Sequence, residues 1–146
     1  MIRHWSRRRQ GLTRTALRRR SFKRQGMKRD SLDALFSLFI RRRDHWTCRR
    51  CRTVYAPPTK ALHCAHIFGR GKLSVRFDPE NAVALCYGCH RLLDTHPCNK
   101  TDFFIRLLGQ AQYDALAVRA SLPGKVDRVL VKLALEARIK ELGEGC

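Results

Sequence analysis

The chain has no apolar run of about 18 residues, the length that marks a bilayer-spanning helix; its longest candidate is the broken stretch from Leu32 to Ile40. The pattern predicts a soluble chain with no membrane-spanning segment. Acid is scarce: 12 Asp+Glu stand against 31 Lys+Arg, a formal charge of +19 over 146 residues, and no acidic residue precedes Asp30. The apolar segment of a secretory signal is missing from the N-terminus, so a reducing cytoplasm is expected, with a mitochondrial transit peptide as the competing reading of the Arg-rich opening. No internal repeat is present. Such an excess of cations points to a polyanionic partner, most simply nucleic acid, because each Lys or Arg placed on a phosphate releases condensed counterions. Anionic membrane is the weaker alternative.

The length and a 44% hydrophobic content suit one globular domain. Residues 1–29 carry +12 and too few apolar side chains (Trp5, Leu12, Leu17, Phe22) to bury a face, leaving +7 for the remainder. This segment is read as a disordered basic arm that becomes helical on DNA, and residues 30–146 as the domain proper. Between Asp30 and Arg43, Leu32, Leu35, Phe36, Phe39 and Ile40 recur at helical spacing, with Asp30 or Ser31 available as N-cap. Arg41, Arg42 and Arg43 suit the negative end of that helix.

Cys48-Arg49-Arg50-Cys51 forms a knuckle, and Ala56-Pro57-Pro58-Thr59 a loop that excludes helix. Ala61 to Phe68 reads as a strand ended by Gly69, which opens the basic loop Gly69-Arg70-Gly71-Lys72, where two glycines are expected to let the chain turn tightly. Leu73 to Phe77 alternates as a second strand would, and Asp78-Pro79-Glu80-Asn81 turns the chain into Ala82 to Leu85, predicting a β-hairpin or irregular ribbon. After a second knuckle, Cys86-Tyr87-Gly88-Cys89, His90 to Thr95 reads as a helix halted at Pro97. Three more helices are expected: one capped by Thr101 or Asp102 and ending before Gly109, one over Gln110 to Ser121, and one from Gly124 onward. The last carries Val126, Val129, Leu130, Leu133, Leu135 and Ile139, all expected in the core, and the helical extension is drawn over 101–142.

Seven cysteines are an odd number, and four of them make two C-x-x-C pairs separated by 34 residues. Cys48, Cys51, Cys86 and Cys89 suit a closed tetrahedral Zn²⁺ site, each pair supplying two thiolates at a bite fixed by a tight turn. A closed site has no open position for chemistry, so its role is structural, fastening a segment with little core of its own. A redox pair would need a surrounding βαβ pattern that is not here. Cys64, Cys98 and Cys146 are spare.

Between and behind the knuckles come His66, Asn81 after 14 intervening residues, and His90 after 8 more. These types of group are what phosphodiester hydrolysis requires. A neutral imidazole can take a proton from water near pH 7, and a divalent cation must neutralise charge on the phosphate and leaving oxygen.

The runs His63-Cys64-Ala65-His66-Ile67, Arg76-Phe77-Asp78-Pro79-Glu80-Asn81 and Leu85-Cys86-Tyr87-Gly88-Cys89-His90 resemble the HNH (ββα-metal) nucleases in their zinc-stapled form, above all phage endonucleases of the NinG/Rap recombination group. The motif covers Cys48 to about His96; the segment from Leu108 through Tyr113-Asp114-Ala115-Leu116 to Asp127 is more weakly similar. The resemblance implies an α+β fold, a ββα-metal core stapled by a four-cysteine zinc site and flanked by an N-terminal helix and C-terminal helices. It also implies that His66 is the general base, that Asn81 holds the loop between the strands by backbone hydrogen bonds, and that His90 binds a catalytic Mg²⁺ or Mn²⁺. Asp94, one helical turn beyond His90, is placed to grip the same cation; His96 is a competing ligand at a poorer spacing. Many family members carry Asp or His directly before the base, where this chain has Ala65, so the metal is held by fewer protein groups or His63 substitutes. Arg70, Lys72 and Arg76 are candidates for phosphate contacts on the DNA.

The plainer reading makes His63, His90 and Asp94 exposed or zinc-adjacent polar residues and the three cations a solvated loop. The expected activity is a metal-dependent DNA endonuclease of phage recombination or processing, acting in the host cytoplasm. Its rivals are a non-catalytic zinc-knuckle DNA-binding or recombination factor and an RNA-binding ribosome-associated protein.

Overall fold

The computed structural model describes residues 30–144; the basic arm expected over 1–29, and Cys146, lie outside the described residues. In chain order the elements are α1 (Ser31–Arg43), β1 (Leu62–His66), β2 (Ala82–Cys86), α2 (Tyr87–Thr95), α3 (Pro97–Leu108), α4 (Gln110–Ser121) and α5 (Arg128–Glu144), with two short 3-10 turns, Leu73–Val75 and Pro79–Asn81, between the strands. The fold is mixed α+β.

Helix α1 begins where its caps dictate. Asp30 accepts from the Asp33 amide at 3.0 Å and Asp33 returns the bond to the Asp30 amide at 3.2 Å, a reciprocal capping box that satisfies two otherwise unpaired donors. The helix buries Leu32, Phe36, Phe39 and Ile40. The strands pair antiparallel from Leu62↔Cys86 to His66↔Ala82. An isolated strand pair is marginal in water, and this one is held by helices: Phe36, Phe39 and Ile40 of α1, Leu93 of α2, Phe104 of α3 and Leu135 of α5 share its core. Four consecutive β2 residues, Ala82 to Leu85, are buried, the burial of a strand covered on both faces. The outer edge of β2 is covered too, since the Ala84 amide donates to Asp44 at 2.7 Å and its carbonyl accepts from the Arg49 amide at 2.9 Å.

The arginines closing α1 do more than face its dipole. Arg43 donates to the carbonyls of Pro79 and Ala82 while pairing with Asp44, and Arg41 reaches the Thr59 carbonyl, so the helix end fastens the loops on either side of the sheet.

Three expectations are corrected. Leu73 to Phe77 is no strand: Leu73–Val75 is a 3-10 turn whose Val75 is buried against Leu116 and Ala120 of α4, and β1 pairs directly with Ala82–Cys86. The loop Gly69-Arg70-Gly71-Lys72 turns tightly as expected, the Lys72 amide donating to the Gly69 carbonyl at 2.9 Å; among the described glycines a positive φ belongs to Gly109, at +86°, which joins α3 to α4 through a single residue. Helix α3 starts at Pro97, four residues before the expected cap, because proline is well suited to a first helical position. In α5 it is Leu135, with Val131 and Ile139, that packs on the core, while Val129, Leu130 and Leu133 are exposed and Val126 precedes the helix. Gly124 fits the approach to α5 because a Cβ there would lie 2.4 Å from the Ser74 backbone.

Candidate functional site

Cys48 and Cys51 leave the turn after α1, Cys86 and Cys89 straddle the junction of β2 and α2, and the bond from the Arg49 amide to the Ala84 carbonyl of β2 brings the two knuckles together. The four sulfurs lie within 4.8 Å of one another and could hold a metal ion. The Cys51 and Cys86 sulfurs are 3.8 Å apart, the edge of a tetrahedron with Zn–S bonds of about 2.3 Å. Hydrogen bonds from the Thr53 hydroxyl and amide draw the Cys51 thiol down to about 6, whereas burial pushes Cys89 up to about 12. Full ionisation of such a set needs a cation at its centre. Arg50 donates to Cys89 at 3.6 Å and adds positive charge beside it.

His66 ends β1 against the Phe36 ring, 5.6 Å between centroids. Its Nε2 lies 3.1 Å from the Arg76 carbonyl oxygen. A carbonyl only accepts, so Nε2 carries the proton and Nδ1 is the basic nitrogen. Burial pushes the imidazole down to about 4, against the Arg76 carbonyl, which favours the charged form, and with the help of nearby Arg70. His66 is therefore neutral at pH 7.

Asn81 is fully buried. Its Oδ1 accepts from the Phe68 amide at 2.8 Å, and its Nδ2 donates to the carbonyls of Phe68 at 3.0 Å and Val75 at 2.8 Å. The loop that supplies the Arg76 carbonyl is thus tied across its base by one side chain.

His90 stands in the first turns of α2, half-buried. Its Nδ1 is 3.3 Å from His63 Nδ1, and its Nε2 is 3.3 Å from Asp94 Oδ2; the other oxygen of Asp94 accepts from Lys100 at 3.0 Å. The two imidazoles are within hydrogen-bonding reach of each other; among the described residues the group of three or more side chains that could hold a metal ion is the cysteine set. His96 turns back to the Leu92 carbonyl at the helix end instead.

His66 and His90, from separate elements, line one cleft of about 210 Å³ with Asp33, Ser37, Cys64 and Arg70. A larger cleft of about 470 Å³, lined by Arg50, Leu93, Asn99, Asp102, Phe103 and Arg106, contains neither histidine. Of the three expected phosphate contacts, Lys72 is exposed in the loop, while Arg70 reaches Asp33 at 3.4 Å from the cleft wall. Arg76 is placed otherwise: it is buried and grips Asp33 through Nε at 3.1 Å and Nη2 at 2.8 Å, with Asp30 at 3.7 Å. Its guanidinium braces the loop from inside.

Asp33 is the site residue that sequence reasoning did not single out. Burial alone would raise its carboxyl; hydrogen bonds from Arg76 and the Asp30 amide outweigh that and hold it below the usual range. The available signal was a buried-face acid one turn into a helix, which reads equally as an ordinary N-terminal acid. Among the described residues, no helix is long and apolar enough to cross a membrane. Comparison with protein-family models, curated proteins and solved structures gives no match.

Proposed function

We propose that this chain is a metal-dependent HNH-type endonuclease that hydrolyses DNA phosphodiester bonds, with Zn²⁺ at the four cysteines as a staple and a second divalent cation at His90. The observation that carries the reading is the cleft shared by His66 and His90, in which His66 is neutral and its Nε2 is committed to the Arg76 carbonyl. A base with one nitrogen fixed and the other basic is what proton removal from water needs. In the proposed step His66 Nδ1 takes a proton as the water oxygen attacks phosphorus, the bond to the 3′-oxygen breaks, and a water protonates the leaving oxygen. The cation supplies positive charge to the phosphoryl and leaving oxygens. Arg70 and Lys72 orient the strand, Arg76 and Asn81 hold the carbonyl that aims His66, and the basic arm adds affinity without sequence readout. Phage recombination or processing is the setting this proposal carries with it.

The test is nicking of supercoiled plasmid with Mn²⁺ or Mg²⁺ by wild type and His66→Ala. Loss of roughly 100-fold or more in the variant is expected for a general base. Between pH 7 and 5.5 the wild-type rate should fall less than about twofold from protonation of the base, where an ordinary histidine of pKa near 6.5 would cost about tenfold. Equal cleavage by both proteins removes His66 from the mechanism; DNA binding without cleavage under any metal leaves a zinc-knuckle binding factor.

A further inference from the structure

We propose that the larger cleft, between the first cysteine knuckle and α3, holds one unpaired nucleotide of a DNA strand, its phosphate met by Arg50 and Arg106 and its base against the Phe103 ring. The proposal rests on the endonuclease reading for its nucleic-acid partner and takes none of its chemistry.

The cleft, about 470 Å³, falls in the range of about 300–1,000 Å³ usual for ligand sites. Asn99, Asp102, Phe103 and Arg106 stand at i, i+3, i+4 and i+7 on α3, the spacing of one helix face. Arg50 of the knuckle and the buried Leu93 of α2 complete the lining. Among the described residues, the side chains of Asn99, Asp102 and Arg106 make no hydrogen bond or ion pair, so the fold does not consume them. A cation in the last turn suits a helix end, which would account for Arg106 alone. It does not account for two guanidiniums from separate elements sharing one concave surface with an aromatic ring.

Each part suits a piece of a nucleotide. Arg50 Nη1 donates to Cys89 Sγ at 3.6 Å, which leaves Nε and Nη2 as a fork for phosphate oxygens. Arg106 is exposed and supplies the second fork. Phe103 is half-buried and braced on the buried Phe104, 5.0 Å between centroids and 68° between planes, so a base that stacks on it meets a ring already ordered. Asp102 only accepts when ionised and repels phosphate, which turns the backbone toward the arginines and an amino edge of the base toward the acid. The base must be unpaired, because in a duplex its faces are covered by neighbouring pairs. An acidic peptide would satisfy the arginines without calling on Phe103. Helix α2 borders both clefts, His90 lining the smaller and Leu93 the larger, which places the two sites along one helix.

The experiment is fluorescence anisotropy of a labelled single strand of about ten nucleotides, titrated with the full, zinc-loaded chain without Mg²⁺ or Mn²⁺, at several salt concentrations and beside the same sequence as duplex. Phe103→Leu keeps apolar packing against Phe104; it should weaken single-strand binding roughly tenfold with an unchanged salt slope, and duplex binding less than about twofold. Arg106→Gln should weaken single-strand binding and lower the slope of log K against log salt by about 0.7, the loss of one phosphate contact. Zinc content and circular dichroism report the fold of each variant. Single-strand affinity unchanged in Phe103→Leu, equal losses on single strand and duplex, or polyglutamate that competes as well as an unlabelled strand of equal charge would each overturn the proposal. A strand bound through Phe103 by a chain that leaves plasmid uncut would support this site and overturn the nuclease reading; plasmid cleavage with single-strand affinity untouched by Phe103→Leu would do the reverse.

Discussion

Replacing Asn81 separates a side chain that merely fills space from one that ties a loop. Asn81→Ala removes three side-chain hydrogen bonds at a fully buried position and strands the Phe68 amide and the Phe68 and Val75 carbonyls. At about 1–3 kcal/mol for each group left unpaired, some of it recovered by water, the cost is roughly 3–6 kcal/mol. That is a large share of the roughly 5–15 kcal/mol typical of a domain. Asn81→Asp keeps the shape and the Oδ1 acceptor but turns an oxygen toward both carbonyls, so its carboxyl pKa is raised in the fold. Its folded form favours the proton; the penalty is smallest below the unfolded value near 3.9 and grows as pH rises above it. Urea unfolding of zinc-loaded protein at pH 4.5 and 7.5, followed by circular dichroism, reads both effects. The penalty of Asn81→Asp should widen with pH and that of Asn81→Ala should not. In variants still folded at low temperature, ¹⁵N shifts of His66 should report a mixture of tautomers, because the loop that presents the Arg76 carbonyl has lost its tie. A cost under about 1 kcal/mol for Asn81→Ala, or a pH-independent Asn81→Asp, would refute the reasoning.

Two further outcomes follow from burial. Asp33→Asn leaves the buried Arg76 guanidinium without its main counter-ion and should cost about 3 kcal/mol at pH 7, near the lower end for a broken buried pair because Asp30 remains close. Asp33 has a depressed pKa, so its contribution is present above about 3.9 and is lost as pH falls through the folded value; a wild-type to mutant difference that stays constant down to pH 3 would contradict this. Leu135→Ala should cost about 2–5 kcal/mol, and Leu133→Ala, at an exposed position two residues away, within about 0.5 kcal/mol; thermal unfolding that ranks them the other way would place the wrong face of α5 on the core.

What was legible in the sequence was local. The N-cap Asp30 and the apolar stripe of α1 reinforce each other, and Gln110–Ser121 is bounded as drawn because Gly109 and Pro123 punctuate it. The alternation of Leu73 to Phe77 misled because five residues carry too little period to outweigh tertiary demands: Val75 must reach α4, its carbonyl must meet Asn81, and Arg76 must reach Asp33. In α5 the period identified the helix but not which of two apolar faces is covered, since that depends on α1 lying alongside. The cysteine cluster was readable because two short knuckles carry their own geometry. The His63–His90 approach was not, because it depends on how α2 leaves β2, and Asp33 pairs with an arginine 43 positions away, a separation no local pattern encodes.

The covered edge of β2 bears on assembly as well as on folding. An open strand edge is a template on which a second chain can add itself, and in a two-stranded sheet each strand has one such edge. Here the outward amide and carbonyl of Ala84 are already taken by Asp44 and Arg49. That pairing leaves no register at Ala84 for an incoming strand, so the same contacts that fasten α1 and the first knuckle to the sheet also protect the chain against self-association through its most buried strand.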